Sequence, residues 1–298
     1  MKVNKFLALV LALAMVLALA ACGGSGNNGG SSSNGSGGNA PSNAGDTGNT
    51  GSDAAGGDAS AAADSDTEYV KEKGTLIIGI TDFEPMDYKN DSGEWIGFDA
   101  DMAKSFAKSL GVEVEFLEIN WDNKVMELET KGVDAVWNGM TLTDDVKALM
   151  ETSEPYCKNA QVVVISADKA ADYQTEDSIS GLSFAVENGS AGAEALDALG
   201  ISYTAVDTQA KALMEVAAGS CEACVIDLLM AGAMIGEGTS YPDLATAVEL
   251  NSEEYGVGFR KGSDLADAFN SFWKSAYDSG SVMETAATYG VARNIIEK

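Results

Sequence analysis

Hydrophobic positions along the chain switch repeatedly between unbroken runs and a helical period. Leu76-Ile77-Ile78-Gly79-Ile80 is a continuous apolar run that predicts a buried strand. Phe98, Met102, Phe106 and Leu110 then share one helical face, and Gly111 stops the helix predicted over 98–110. Val112, Val114 and Phe116 alternate with Glu113 and Glu115, the pattern of a half-exposed strand. A helix over 122–131, a strand over 134–137 and a strand over 161–165 follow. A second series repeats the theme: strand 184–186, helix 191–199 ending at Gly200, strand 203–206, helix 208–218 and strand 223–226. A strand over 255–259 and helices over 265–277 and 282–289 complete it. Strand–helix alternation of this kind predicts mostly parallel sheets covered by helices. No solenoid period or Walker motif is present, and no G-x-G-x-x-G joins a predicted strand to a helix.

The pattern fails at the N-terminus. Lys2 and Lys5 precede an apolar run from Phe6 to Ala21, and Ala20-Ala21 are small residues before Cys22. This is the layout of a secretory leader over residues 1–22, and the run is shorter than the roughly 20 residues a membrane span needs. Leu19-Ala20-Ala21-Cys22 resembles the bacterial lipobox, which makes Cys22 the expected lipid anchor and the mature protein extracytoplasmic. Residues 23–66 are Gly, Ser, Asn, Ala and Asp almost throughout, too polar to offset their ordering entropy, and are expected to be a disordered tether.

Residues 67–298 suffice for a sizeable core and suggest two lobes. Lys and Arg number 18 against 46 Asp and Glu, a formal charge of −28, which argues against nucleic-acid binding. Histidine is absent, so Ser-His-Asp and Cys-His triads are excluded, and no metal or cofactor is expected. Of the four cysteines, Cys221 and Cys224 form a lone C-x-x-C leading into a strand, a weak signal for zinc or redox chemistry. They can bridge only if Cys221 lies in the preceding turn, which leaves Cys157 over.

In open sheets of this type ligands bind beyond the carboxyl ends of the strands. Residues 81–87, 138–143 and 187–190 occupy that position, as does Asp227. Gly189 and Ser190 open a helix, where free N–H groups favour an anion, though ordinary capping by Ser190 explains them equally. Asp227 ends a buried strand and needs a partner, either a ligand ammonium or a structural cation.

Spread over residues 74–298, the segments "GTLIIGITDFEPMDY", "GEWIGFDADMAKSFAKSLG", "INWDNKVMELETKGVDAVWNGMTLT", "SEPY", "FAVENGSAGAEAL", "CEACVIDLL" and "YGVGFRKGSDLADAFNSF" together resemble extracellular solute-binding protein family 3, the amino-acid-binding proteins of ABC importers. The resemblance implies an α/β, two-lobed type 2 periplasmic-binding-protein fold with two crossing strands, near 161–167 and 251–258, and the ligand in the interlobe cleft. Lobe 1 is then expected over 67–165 plus 251–298 and lobe 2 over 166–250. It implies a monomer that captures an amino acid or related amine and delivers it to a membrane permease. The expected ligand-binding residues are Asp82, Phe83, Trp137, Gly139, Met140, Thr141, Gly189, Ser190 and Asp227, with Phe83 and Trp137 as aromatic walls. Core packing is the alternative for Phe83.

One position departs from the family. The pattern T-x-x-R puts a carboxylate-clamping Arg where this chain has Val146, three residues after Thr143. Either Lys147 swings in, or the ligand lacks a free carboxylate, or Gly189 and Ser190 suffice alone. An enzyme of the cyclohexadienyl dehydratase type, using Glu84 and Asp227, and a receptor-coupled sensor are the competing readings.

Overall fold

The computed structural model describes residues 65–298; the expected leader, Cys22 and the tether through residue 64 lie outside them. Residues 65 and 66, placed by composition in the tether, belong to the fold. Ser65 caps the helix α1 (Asp66–Lys73) by accepting the Glu68 N–H. Asp66 is buried against Arg260, whose Nε lies 3.0 Å from its carboxylate. A charged residue in a polar stretch thus gains a fixed partner that local sequence does not reveal.

The first sheet is built from β1 (Thr75–Ile80), β4 (Glu113–Glu118) and β5 (Ala135–Thr141), with the small hairpin β2 (Tyr88–Lys89) and β3 (Trp95–Ile96) beside it. The helices α2 (Phe98–Leu110), α3 (Lys124–Glu129) and α4 (Asp144–Leu149) connect these strands, and β6 (Glu151–Thr152) and β7 (Cys157–Asn159) follow. The second sheet runs from β8 (Gln161–Ser166) through α5 (Glu176–Ile179), β9 (Phe184–Glu187), α6 (Ala191–Leu199), β10 (Tyr203–Val206), α7 (Gln209–Ala217), β11 (Ala223–Asp227) and α8 (Leu228–Met234) to β12 (Leu244–Glu249). The chain then returns with β13 (Glu253–Phe259), α9 (Leu265–Asp278) and α10 (Ser281–Thr288) to the first lobe.

Strand order is β4-β1-β5-β13-β6 in one sheet, with β7 also on β13, and β10-β9-β11-β8-β12 in the other. In each, the expected parallel neighbours are joined by strands running the other way: β13 is antiparallel to β5, and β8 to β11 and β12. By pairing, Gln161–Ser166 belongs to the second sheet, whereas the sequence placed residues up to 165 with lobe 1. The hydrogen-bonded boundary falls at Ala160 on the way out and at 250–252 on the way back.

The first lobe is filled by aromatic side chains in edge and tilted contacts. Trp137 lies 4.9 Å from Phe269, and Tyr156 lies 4.9 Å from Trp273, centroid to centroid. Such rings contribute both area and quadrupole complementarity. Beneath this core Arg260 joins three elements: it pairs with Asp66, approaches Asp134 at 3.5 Å, and donates to the carbonyls of Leu128 and Val133. Lys73 completes the cluster at 2.6 Å from Asp134. Cys157, Cys221 and Cys224 are all buried free thiols.

Replacing Arg260 by Met removes the cation but leaves two buried carboxylates. We expect a stability loss of about 3–5 kcal/mol in urea unfolding. A loss below about 1 kcal/mol contradicts the pinning of α1 by this cluster.

Candidate functional site

Strand ends and helix starts from both lobes converge on one cavity of about 20 Å³. Lobe 1 supplies Trp121, Lys124, the stretch Asn138–Thr141, Thr143 and Val146; lobe 2 supplies Gln161, Glu187, Gly189–Ala191, Glu194, Gln209 and Asp227. It adjoins a cleft of about 820 Å³, with which it shares Thr141, Thr143, Ala191 and Glu194. Six of the nine expected ligand-binding residues therefore meet: Gly139, Met140, Thr141, Gly189, Ser190 and Asp227.

The other three lie elsewhere. Trp137 is 1% exposed and packs into the aromatic core, because its side chain leaves β5 on the face away from the cleft. Phe83 is likewise buried, its ring edge-on to Tyr255 at 6.4 Å and tight against Gly139. Asp82 lines a separate crevice of about 240 Å³ with Glu84, Lys89 and Glu118, opposite Ala210 and Met234.

Asn138 to Thr141, read from sequence as a loop, continue β5; Met140 and Thr141 pair with Gly256 and Tyr255. Gly139 has φ +56°, and a Cβ there would lie 2.6 Å from the Phe83 ring, so only glycine fits. Its N–H donates to Asp99 at 2.7 Å, as does the Tyr156 hydroxyl. Burial raises the Asp99 carboxyl to about 7 even against these two donors. The adjacent buried carboxyl, Asp87, accepts from the Asn138 amide at 2.8 Å. The bend at 138–139 is thus held from below by two carboxyl groups.

Asp227 sits where the lobes join. Its Oδ1 accepts from Gln161 Nε2 at 2.8 Å, from the Tyr255 hydroxyl at 2.9 Å and from the Asn159 amide, and its Oδ2 accepts from the Gln209 amide. Asn159 and Gln161 donate also to Glu253 Oε1, at 2.7 and 2.8 Å. Burial, then the nearby Glu253 charge, push Asp227 well above the ordinary carboxylate range. No structural cation pairs with it among the described residues.

Two further residues of the cavity were not among the expected contacts, although the first belongs to the 187–190 stretch. Glu187 ends β9, the parallel neighbour of β11, and is 2% exposed with Oε1 lacking any hydrogen-bond partner. Burial raises it to about 8, although the Lys124 charge pulls the other way. The available signal was the one used for Asp227, a carboxylate closing an apolar strand. Lys124 opens α3, with Nζ 2.8 Å from the Gly189 carbonyl across the cleft and 3.3 Å from that of Trp121. Nothing in its local pattern marks it.

Val146 packs in a small cluster with Trp121, Leu128, Met140 and Met150, and Thr143 caps its N–H at 3.3 Å. Lys147 is exposed and lines the larger neighbouring cleft instead. At the facing edge Gly189 has φ +69°, and Ser190 Oγ caps the Ala193 N–H of α6 at 3.2 Å.

Two α/β lobes joined by two strands, with buried polar groups between them, define a type 2 periplasmic-binding-protein fold. The chain belongs to the bacterial extracellular solute-binding proteins, family 3, whose model matches residues 76–292. It is 28% identical over 205 residues to the L-cystine-binding protein TcyJ of Escherichia coli K12, covering 67% of this chain and 77% of that one. It is 29% identical over 228 residues to the arginine-binding extracellular protein ArtP of Bacillus subtilis, covering 74% and 86%. Among solved structures, the P235GK mutant of ArgBP from T. maritima superposes with a TM-score of 0.70 at 30% identity, covering 75% of this chain and 98% of that one.

A Cβ on Gly189 would meet Asp122 Cα at 2.9 Å and Oδ1 at 2.7 Å. Gly189→Ala should therefore wedge the lobes apart, seen as a larger radius of gyration in small-angle scattering. An unchanged radius contradicts the tightness of this contact.

Glu187 binds its proton more tightly in the folded chain, so its contribution to stability is lost as pH rises from about 4, the unfolded value, through about 8. Glu187→Gln should flatten the decline of ligand-free stability over that window, by up to about 1.4 kcal/mol per pH unit. Parallel pH–stability curves for variant and wild type contradict the assignment.

Proposed function

We propose that this chain is an extracytoplasmic, lipid-anchored substrate-binding protein of an ABC importer that captures an amino acid or related amine by closing its lobes on the cavity at Asp227. The supporting observation is the convergence, in one interlobe cavity, of two buried carboxyls with the start of a nine-residue helix. Asp227 and Glu187 both face Gln209. A ligand ammonium would supply donors to carboxyls that burial otherwise keeps protonated. Gly139, Met140, Thr141, Gly189 and Ser190 form the walls against which such a solute would close, while Phe83 and Trp137 would support them from behind.

TcyJ and ArtP bind amino acids by name, and family membership supports the carrier role. Cys22 would hold the protein at the membrane, with the folded lobes free to reach a permease. Among the described residues no helix is long and apolar enough to cross a membrane. Closing the lobes would exclude water and present the joined surface that the permease reads, one molecule at a time.

Calorimetry of the mature chain with L-arginine, L-cystine, L-histidine and L-glutamine tests the reading: at least one should bind with micromolar affinity or better and return chemically unchanged after denaturation. Asp227→Asn should weaken that binding at least tenfold. Turnover of the ligand, or an unaltered affinity in the variant, overturns the proposal.

A further inference from the structure

The interlobe cavity contains one cationic side chain among its lining residues, Lys124, and no carboxylate lies within ion-pair distance of it, although the charges of Glu187, Glu194 and Asp122 act on it from farther off. Its two hydrogen bonds go to neutral backbone carbonyls, Gly189 across the cleft and Trp121 in its own turn. None of the ion pairs among the described residues includes it. Burial accordingly draws its pKa down. On the other side Glu187, 2% exposed, lines the same cavity and has one carboxyl oxygen, Oε1, without a hydrogen-bond partner. A half-buried ammonium held by neutral carbonyls and the face of Trp121, and a buried carboxyl with a bare oxygen, are each short of a close charged partner. Their shortfalls have opposite sign, which is the complement of a solute carrying both charges.

Position decides which end goes where. Lys124 Nζ touches the carbonyl of Gly189, immediately before the capping residue of α6. Ser190 Oγ takes the Ala193 N–H, and the N–H groups of Ala191 and Gly192 have no acceptor within the helix. An anion there meets a lysine and a helix N-terminus together. α4, which faces the same cavity, offers no cation, since Val146 is packed against Trp121 and Lys147 points to the neighbouring cleft.

We propose that Lys124 binds the carboxylate of the solute at the start of α6, while Glu187 accepts a donor from its cationic part, so that the ligand is a carboxylate-bearing amine and not a carboxylate-free one. This rests on the carrier reading given above. Lys124 then substitutes, from the start of α3, for the clamp that the first turn of α4 does not carry. It also ties ligand to closure, because the same ammonium reaches from lobe 1 to Gly189 of lobe 2.

The test compares acids with their decarboxylated amines on the mature protein by calorimetry: L-arginine with agmatine, L-histidine with histamine, L-cystine with cystamine. For the acid that binds, wild type should prefer it at least tenfold over its amine, a comparison that needs no variant. Lys124→Gln should lower affinity for the acid at least fivefold and affinity for the amine less than twofold, and Lys124→Arg should restore most of the acid affinity. An amine bound as tightly as its acid, or a smaller loss in Lys124→Gln, overturns the assignment of Lys124 while leaving the carrier reading intact. Binding of none of the acids removes both.

Discussion

The carboxyl group of Asp227 is the constraint around which the two lobes are arranged. It ends β11 in the second lobe, yet it takes hydrogen bonds from Asn159 and Gln161 on either side of the first crossing and from Tyr255 on β13 of the first lobe. With the Gln209 amide on its other oxygen, four donors converge on this one carboxyl group, three of them on Oδ1. The Asn159 and Gln161 amides are shared with Glu253, so the two connections between the lobes are knitted together by two carboxyl groups and two amides. Such a network is costly if any member is missing, because each buried group would be left unsatisfied in a low-dielectric site. The hinge and the floor of the cavity consequently share Asp227 and Gln161.

The strongly acidic composition has a local meaning at this point. Surface carboxylates are solvated and say little about function, but Asp87, Asp99, Glu187 and Asp227 are buried, each with its proton affinity raised first by desolvation. Two of them brace the 138–139 bend and two face the cavity. The bracing pair keeps Gly139 in a left-handed conformation that brings Phe83 against its α-carbon, which is why that ring is structural. Val146 follows the same logic. An arginine there would have to leave the cluster with Trp121 and Met140, and the chain instead places its cation one helix earlier, at Lys124.

Elements with a clean period were legible in advance. Helices 98–110 and 191–199 and strand 203–206 have the bounds that their spacing and terminal glycines predict. What escaped depends on partners distant in sequence. α1 exists because Asp66 and Lys73 find Arg260 and Asp134. β5 runs on to Thr141 because β13 pairs with it, overriding the turn preference of Asn138-Gly139. Trp137 looked like a cleft wall because strand alternation gives two faces without saying which is inside. Six of the expected residues line the cavity, named from strand-end position and family pattern, whereas Lys124 and the amides Asn159, Gln161 and Gln209 carry no sequence signal, being polar residues recruited by tertiary approach.

The closed arrangement uses for itself the groups a solute would need. Lys124 spends its ammonium on Gly189, and Asp227 spends its oxygens on amides and a tyrosine. A cavity of about 20 Å³ admits on the order of one water, so an amino acid has to enter with the lobes parted and exchange its own charges for these contacts. Its affinity is then the difference between two closed states, one sealed by the protein's own hydrogen bonds and one sealed by charge-assisted bonds to the solute. A solute with only one charge repairs only one of the two shortfalls, at Lys124 or at Glu187, and leaves the other in place. On the proposed reading, selectivity for a doubly charged molecule would arise from what the protein lacks in its own closed form as much as from what it offers.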